Sequence, residues 1–129
     1  MNRIERVGSR SGIEQWRLTS NGMDILMLPM DAAPVVTFVV VVRVGSRNEA
    51  PGNTGSAHLL EHLLFNRSTE SFGRETGRTI QEVLYEAGGD FSTSNMTTWC
   101  DRITMYDTLP ADHLASAPSI GRAQLPRKW

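Results

Sequence analysis

Three residues that could bind a metal ion and activate water lie within five positions of one another. His58 and His62 are four residues apart, with Glu61 directly before the second histidine, in the order H-x-x-E-H. On a helix, side chains four residues apart lie on one face, so both imidazoles could bind one zinc ion. Glu61 could act as a general base toward a water molecule on that ion. The motif, which is H-E-x-x-H reversed, therefore predicts a zinc-dependent hydrolase.

The pattern of apolar residues around the motif supports a helix from about residue 54 to residue 65. At ~100° per residue, the three motif side chains fall within an arc of ~100°. The opposite side, an arc of ~140°, is filled by leucines: Leu59, Leu60, Leu63 and Leu64. One face is thus apolar and the other carries polar groups. A helix whose two histidines and glutamate simply face solvent remains the alternative, because short motifs also arise by chance.

The segments around the motif resemble a known family. They are residues 21–29, 33–36, 43–49, 54–65, 88–91 and 101–106. From about Trp16 to Leu114, the chain is similar to the N-terminal region of the M16 zinc metallopeptidases, which include pitrilysin, insulinase and the mitochondrial processing peptidase. The V-G-S-R run ahead of the inverted motif makes this resemblance specific.

The resemblance implies a metalloendopeptidase with one zinc ion. His58 and His62 would be the zinc ligands, and Glu61 would deprotonate the attacking water. Zinc would polarise the scissile carbonyl and lower the pKa of its water toward ~7. The substrates would be extended peptides or unfolded segments, enclosed by a second M16-like chain or half.

The sequence departs from the family pattern in its ligand set. Catalytic zinc usually has three protein ligands and a water, whereas this chain shows two. The family's third ligand is a glutamate on a later helix, which we expect to be missing here. The family asparagine after the Gly-Gly pair is matched only by Ser92 or Asn95. A second interpretation therefore stays open, in which the chain is a catalytically inactive fragment or partner subunit that binds a peptide or another chain.

Residues 115–129 do not continue the family's acidic helix. Two prolines and a glycine interrupt any helical period, and no acidic residue follows Asp112. We expect an aberrant or disordered tail from a truncated or frame-shifted gene. A genuine flexible tail on a small protein is the alternative.

The composition excludes several classes of protein. The net charge of −1 over 129 residues gives no electrostatic case for a nucleic-acid or membrane partner. No apolar signal segment is visible, and the apolar run at 35–42 is too short to span a bilayer, so we expect a cytoplasmic location. The single cysteine, Cys100, excludes an internal disulfide and is expected to be a core hydrophobe rather than a nucleophile or a zinc ligand.

The hydrophobic pattern predicts an α+β fold, with a mostly antiparallel sheet and helices packed on one face. Strands are expected at residues 14–19, 23–28, 35–44, 92–96 and 103–108, with a hairpin turn at Asn21-Gly22. The valine-rich third strand has the pattern of a strand buried on both faces. A second helix is expected from a capping box at Thr79 and Glu82 to Gly88-Gly89.

The expected domain organisation has three parts: a flexible N-terminus over residues 1–13, a partial M16-like peptidase domain over residues 14–114, and the tail over residues 115–129. A chain of this length would leave the leucine face of the first helix poorly covered. We therefore expect marginal stability and association through exposed apolar surface.

Overall fold

The computed structural model describes residues 3–65, 82, 85–89 and 92–113. The expected capping residue Thr79 and the tail over residues 115–129 lie outside the described residues. The chain divides into two compact units, with the boundary between Pro34 and Val35. This boundary falls inside the expected domain over residues 14–114.

The first unit is a three-stranded antiparallel sheet in the order β1-β2-β3. Its strands are β1 (Ile4–Arg10), β2 (Ile13–Leu18) and β3 (Asp24–Met27). The predicted hairpin joins β2 to β3: Gly22 has a φ of +72°, and the side chain of Asn21 accepts a hydrogen bond from the Met23 N–H at 3.0 Å. Glycine favours this turn because it tolerates positive φ, and asparagine favours it because its side chain can hydrogen-bond to the nearby backbone.

Strand β1 lies within the segment expected to be a flexible N-terminus, residues 1–13. Residues 4–10 instead pair antiparallel with β2. A two-residue turn joins the strands, with positive φ at both Ser11 and Gly12. The sequence signal for β1 is weak because the pairing register shifts between Arg6 and Gly8, which breaks the alternation of apolar side chains.

The second unit contains another antiparallel sheet, in the order β4-β6-β5. Its strands are β4 (Val35–Val42), β5 (Ser94–Thr98) and β6 (Ile103–Pro110). Helix α1 (Ser56–Phe65) follows the 3-10 turn η1 (Ser46–Asn48), and a second 3-10 turn, η2 (Ala111–His113), follows β6. Glu82, Tyr85 and Glu86 are also helical. With antiparallel sheets and a helix packed against β5, the predicted α+β class is confirmed.

The core of the second unit lies on one face of this sheet. Every second residue of β6, starting at Ile103, is buried, and Met96 and Met105 pack against Val40 and Val42. The other face of β4 is open, since alternate residues of this strand, including Val39 and Val41, are about half exposed. The expectation that β4 is buried on both faces is therefore wrong, because a valine run does not reveal how many faces of an antiparallel sheet are covered.

Within the described ranges, no helix is long and apolar enough to cross a membrane.

Candidate metal and catalytic site

The two histidines of the motif meet on one side of α1. Their Nε2 atoms are 3.2 Å apart, and the ring centroids are separated by 4.8 Å. Two nitrogen ligands on a tetrahedral zinc ion, at the usual bond length, would lie about 3.3 Å from each other. His58 and His62 are thus already at the spacing that one shared zinc ion requires, and both remain accessible to solvent.

Glu61 lies on the side of α1 that faces the sheet. Its side chain is only 9% exposed, and its Oε2 accepts a hydrogen bond from the hydroxyl of Thr98 at 2.5 Å. Thr98 is the last residue of β5 and is half-buried. The helix therefore exposes the two imidazoles and encloses the carboxylate, whereas the sequence alone placed all three groups together on one open polar face.

A third ligand is not found in the part of the chain that the structure describes. There, no group of three or more His, Cys, Asp or Glu side chains lies close enough to hold a metal ion. Cys100 is exposed in the turn after β5, so its expected place in the core is wrong. His113 lies in η2, and Glu82 and Glu86 are exposed helical residues. The donor set fits two of the three protein ligands of a catalytic zinc site.

Glu49 stabilises the N-terminus of the helix that carries the motif. Its carboxylate oxygens accept hydrogen bonds from the backbone N–H groups of Ala57 and Gly55, both at 2.8 Å. The bond from Ala57 and, to a smaller extent, the bond from Gly55 lower the pKa of Glu49 below its usual value. A helix N-terminus has unpaired N–H groups and favours negative charge, so Glu49 satisfies both needs. Sequence reasoning missed this role because the glutamate precedes the helix by more than one turn.

The η1 segment, which leads toward α1, is attached to the turn between β5 and β6. The N–H groups of Ser46 and Arg47 donate to the carbonyl oxygens of Trp99 and Cys100, at 3.2 and 2.9 Å. Gly45 permits this close approach, because a Cβ there would lie 2.2 Å from the Trp99 carbonyl oxygen. The same turn follows Thr98 directly, so the strand that contacts Glu61 and the segment before the helix share one anchor.

A second carboxylate is buried on the same face of the sheet, at Asp107. This side chain is 1% exposed and opposes Ser94 across β5 and β6. Burial raises the pKa of Asp107, and the nearby Ser94 hydroxyl offsets part of that effect. Within the described residues, neither carboxylate oxygen has a partner at full hydrogen-bonding geometry, and neither does the Ser94 hydroxyl. Asp107 thus lies away from solvent, whereas Asp101 forms an ion pair with Arg102 at 2.9 Å.

Comparison with known proteins shows the family. The family model described as Insulinase (Peptidase family M16) matches residues 26–118, well over half of the chain. The chain belongs to the M16 peptidase family, as the resemblance in its sequence predicted.

Related proteins are named as zinc proteases. A protein of Helicobacter pylori called zinc protease PqqE is 42% identical over 87 residues, covering 67% of this chain and 18% of that protein. An uncharacterized zinc protease of Rickettsia bellii is 32% identical over 100 residues, covering 78% of this chain and 23% of that protein. The chain thus spans less than a quarter of the length of either relative.

Solved structures share the fold. The periplasmic protease PqqL of Escherichia coli matches with a TM-score of 0.77 at 21% identity, over 92% of this chain and 13% of its own. Pitrilysin matches with a TM-score of 0.72 at 25% identity, over 93% of this chain and 12% of its own. The α+β arrangement of this chain therefore recurs in much longer proteases.

Proposed function

We propose that this chain carries part of the zinc site of a metallopeptidase that hydrolyses peptide bonds. In this site, His58 and His62 are two protein ligands of one zinc ion, and Glu61 is the general base. The observation that supports it most strongly is the 3.2 Å separation of the two Nε2 atoms on the helix that also holds Glu61. The zinc-protease names of the relatives support the choice of metal and of reaction.

The residues divide the chemistry between them. Zinc, when bound, would polarise the scissile carbonyl and make a water molecule more acidic. Glu61 takes the proton of the attacking water and then donates it to the leaving amine, the usual exchange of a general base and acid. Its low exposure shields the carboxylate from bulk solvent, which strengthens its electrostatic interaction with a nearby cation.

The sheet beside Glu61 suits an extended peptide as substrate. In the described sheet, β5 is an edge strand, and its last residue contacts the base. An extended peptide can add to such an edge through backbone hydrogen bonds, with little dependence on side-chain sequence. A peptide on β5 would pass close to Glu61.

The third ligand would come from residues outside the described ranges or from a neighbouring chain, and a second M16-like half would enclose the substrate. The chain also matches a structure of the first half of PqqL, covering 25% of it, with a TM-score of 0.77. PqqL is named there as a periplasmic protease, so the cytoplasmic location expected from the sequence stays a prediction.

A second candidate is a catalytically inactive piece that binds a peptide or another chain. Two observations favour it: no three-ligand cluster exists within the described residues, and Leu59 and Leu63 of α1 are more than half exposed. Under this interpretation, the edge of β5 binds a peptide that is not cut.

Metal content distinguishes the two candidates. The chain is purified without chelator, and zinc per chain is compared between the wild type and His62→Ala. We expect about one zinc per chain in the wild type, lost in the variant, and hydrolysis of a quenched fluorescent peptide that disappears in Glu61→Gln. Zinc absent from both proteins would contradict the metallopeptidase proposal for this chain and leave the peptide-binding candidate.

A further inference from the structure

We propose that Thr98 is a positioning residue, which holds the Glu61 carboxylate in the orientation that proton transfer needs. The inference rests on the proposed function, because it assigns a partner to the proposed base. In this scheme the Thr98 hydroxyl contacts neither the scissile bond nor the metal, and it acts through Glu61. A peptide on β5 would bind the backbone of the strand and not this hydroxyl.

The contact between the two side chains restricts the carboxylate. A glutamate side chain has three rotatable bonds, and an unattached carboxylate samples several rotamers. The Thr98 hydroxyl donates its one proton to Oε2 at 2.5 Å and so fixes that oxygen. The other oxygen, Oε1, keeps its lone pairs for the proton of the attacking water. Proton transfer requires the carboxylate oxygen to lie within hydrogen-bond reach of the attacking water. A carboxylate held in one orientation meets this condition more often than one that samples several rotamers.

Thr98 is itself held by the sheet. It pairs with Ile103 in the β5–β6 register, and the next residue, Trp99, donates its N–H to the Arg102 carbonyl at 2.8 Å. A β-branched residue in a strand also has a restricted χ1, which limits where the hydroxyl can point. The hydroxyl therefore projects from a fixed backbone, which is what a positioning contact requires.

The other end of the contact is fixed independently. Glu61 lies on α1, whose first turn is held by Glu49 through the N–H groups of Gly55 and Ala57. The hydrogen bond between Thr98 and Glu61 thus joins two anchored elements. The two residues are 37 positions apart in sequence. This arrangement differs from a merely satisfied buried carboxylate, because motion of either element would move the base.

Two substitutions at Thr98 test the proposal. Thr98→Val keeps the branched shape and removes the hydroxyl, while Thr98→Ser keeps the hydroxyl. Thr104→Val, at a half-buried threonine of the central strand β6, is the matched control for the loss of a threonine hydroxyl. We expect Thr98→Val to lower kcat about 10- to 100-fold with KM and zinc content unchanged. Thr98→Ser should recover most of that loss, and Thr104→Val should resemble the wild type.

A carbon-13 signal from the Glu61 carboxyl group, assigned by its absence in Glu61→Gln and recorded at one pH, gives a readout that does not need turnover. We expect it to shift in Thr98→Val and to stay in place in Thr98→Ser. The inference about Thr98 would be overturned if the signal did not change in Thr98→Val, or if kcat did not change in this variant while the wild type is active. Either result would leave the proposed function standing. A wild type that cleaves peptide no faster than Glu61→Gln would instead overturn the proposed function, and the catalytic role of Thr98 with it.

Discussion

The carboxylate of Glu49 accepts a hydrogen bond from the backbone N–H of Ala57 at 2.8 Å, which places a negative charge at the beginning of α1. His58 is the next residue of that helix. The position of the first proposed ligand therefore depends on a glutamate from outside the helix, and this relationship can be tested.

Glu49→Gln should weaken the start of α1. The amide keeps an acceptor oxygen but loses the charge that the helix N-terminus favours. We expect zinc affinity to fall roughly several-fold and the amides of the first helical turn to exchange faster with deuterium. Hydrogen exchange followed by mass spectrometry measures the second effect. Glu5→Gln, at an exposed glutamate of β1, is the control. If the first helical turn exchanged equally fast in both variants, the role given to Glu49 would be contradicted.

The pH dependence of this contact follows from the direction of the pKa shift. The pKa of Glu49 is lower in the folded protein than its usual 4.5, so the folded state favours the ionised form. Its contribution to stability is present above the unfolded value and is lost as the pH falls through the folded one. Protection of the first turn of α1 should therefore decline on acidification below about pH 4.5. Glu49→Gln should lack that decline. An equal decline in both proteins would show that titration of groups other than Glu49 causes it.

Gly45→Ala should disturb the junction between the η1 segment and the β5–β6 turn. The added Cβ would collide with the backbone of Trp99, at 2.2 Å from its carbonyl oxygen, and backbone cannot move aside cheaply. We expect a loss of roughly 1–3 kcal/mol in the free energy of unfolding, the usual range for overpacking. Chemical denaturation monitored by circular dichroism gives the value. Gly8→Ala is the control, since nothing lies within 4 Å of its Cβ, and similar losses at both positions would argue against the collision.

Local signals made α1 and the β2–β3 turn predictable from the sequence. The spacing of histidines and leucines in α1 has a helical period, and Asn21-Gly22 is a turn signal within two residues. Strand β1 was missed because its register shift hides the alternation on which strand prediction depends. The identity of the proposed ligands and base likewise followed from a five-residue motif.

Contacts between distant segments could not be predicted in the same way. Thr98 meets Glu61 only because α1 packs on β5, and Asp107 is buried only because β6 is the central strand of its sheet. A single sequence contains no spacing rule for such pairs, since tertiary packing decides them. The structure therefore adds the partner of the base and the cap of the helix to a site whose main residues the sequence already indicated.

Asp107→Asn should stabilise the second unit above the ordinary aspartate pKa. Burial raises the pKa of Asp107 above its usual value of 3.8, so the folded state favours the protonated form. The wild type should lose stability as the pH rises from about that value through the raised pKa, because folding then buries a charge. We expect the Asp107→Asn variant to lack this loss and to melt roughly 5 °C higher at neutral pH. Thermal melts across pH measure this, with Asp31→Asn as the exposed control, and parallel pH curves for wild type and variant would contradict it.

The exposed leucines of α1 should cause association between chains. Leu59 and Leu63 are 59% and 58% exposed on one face of the helix, and an apolar surface of this kind is usually covered. We expect the wild type to form oligomers in sedimentation velocity at micromolar concentration. The double substitution Leu59→Glu and Leu63→Glu should shift it to monomer, because charged side chains resist burial in an interface. Leu26→Glu, at an equally exposed leucine of β3, controls for added charge, and a wild type that already sediments as a single monomeric species would show that the leucine face does not drive association.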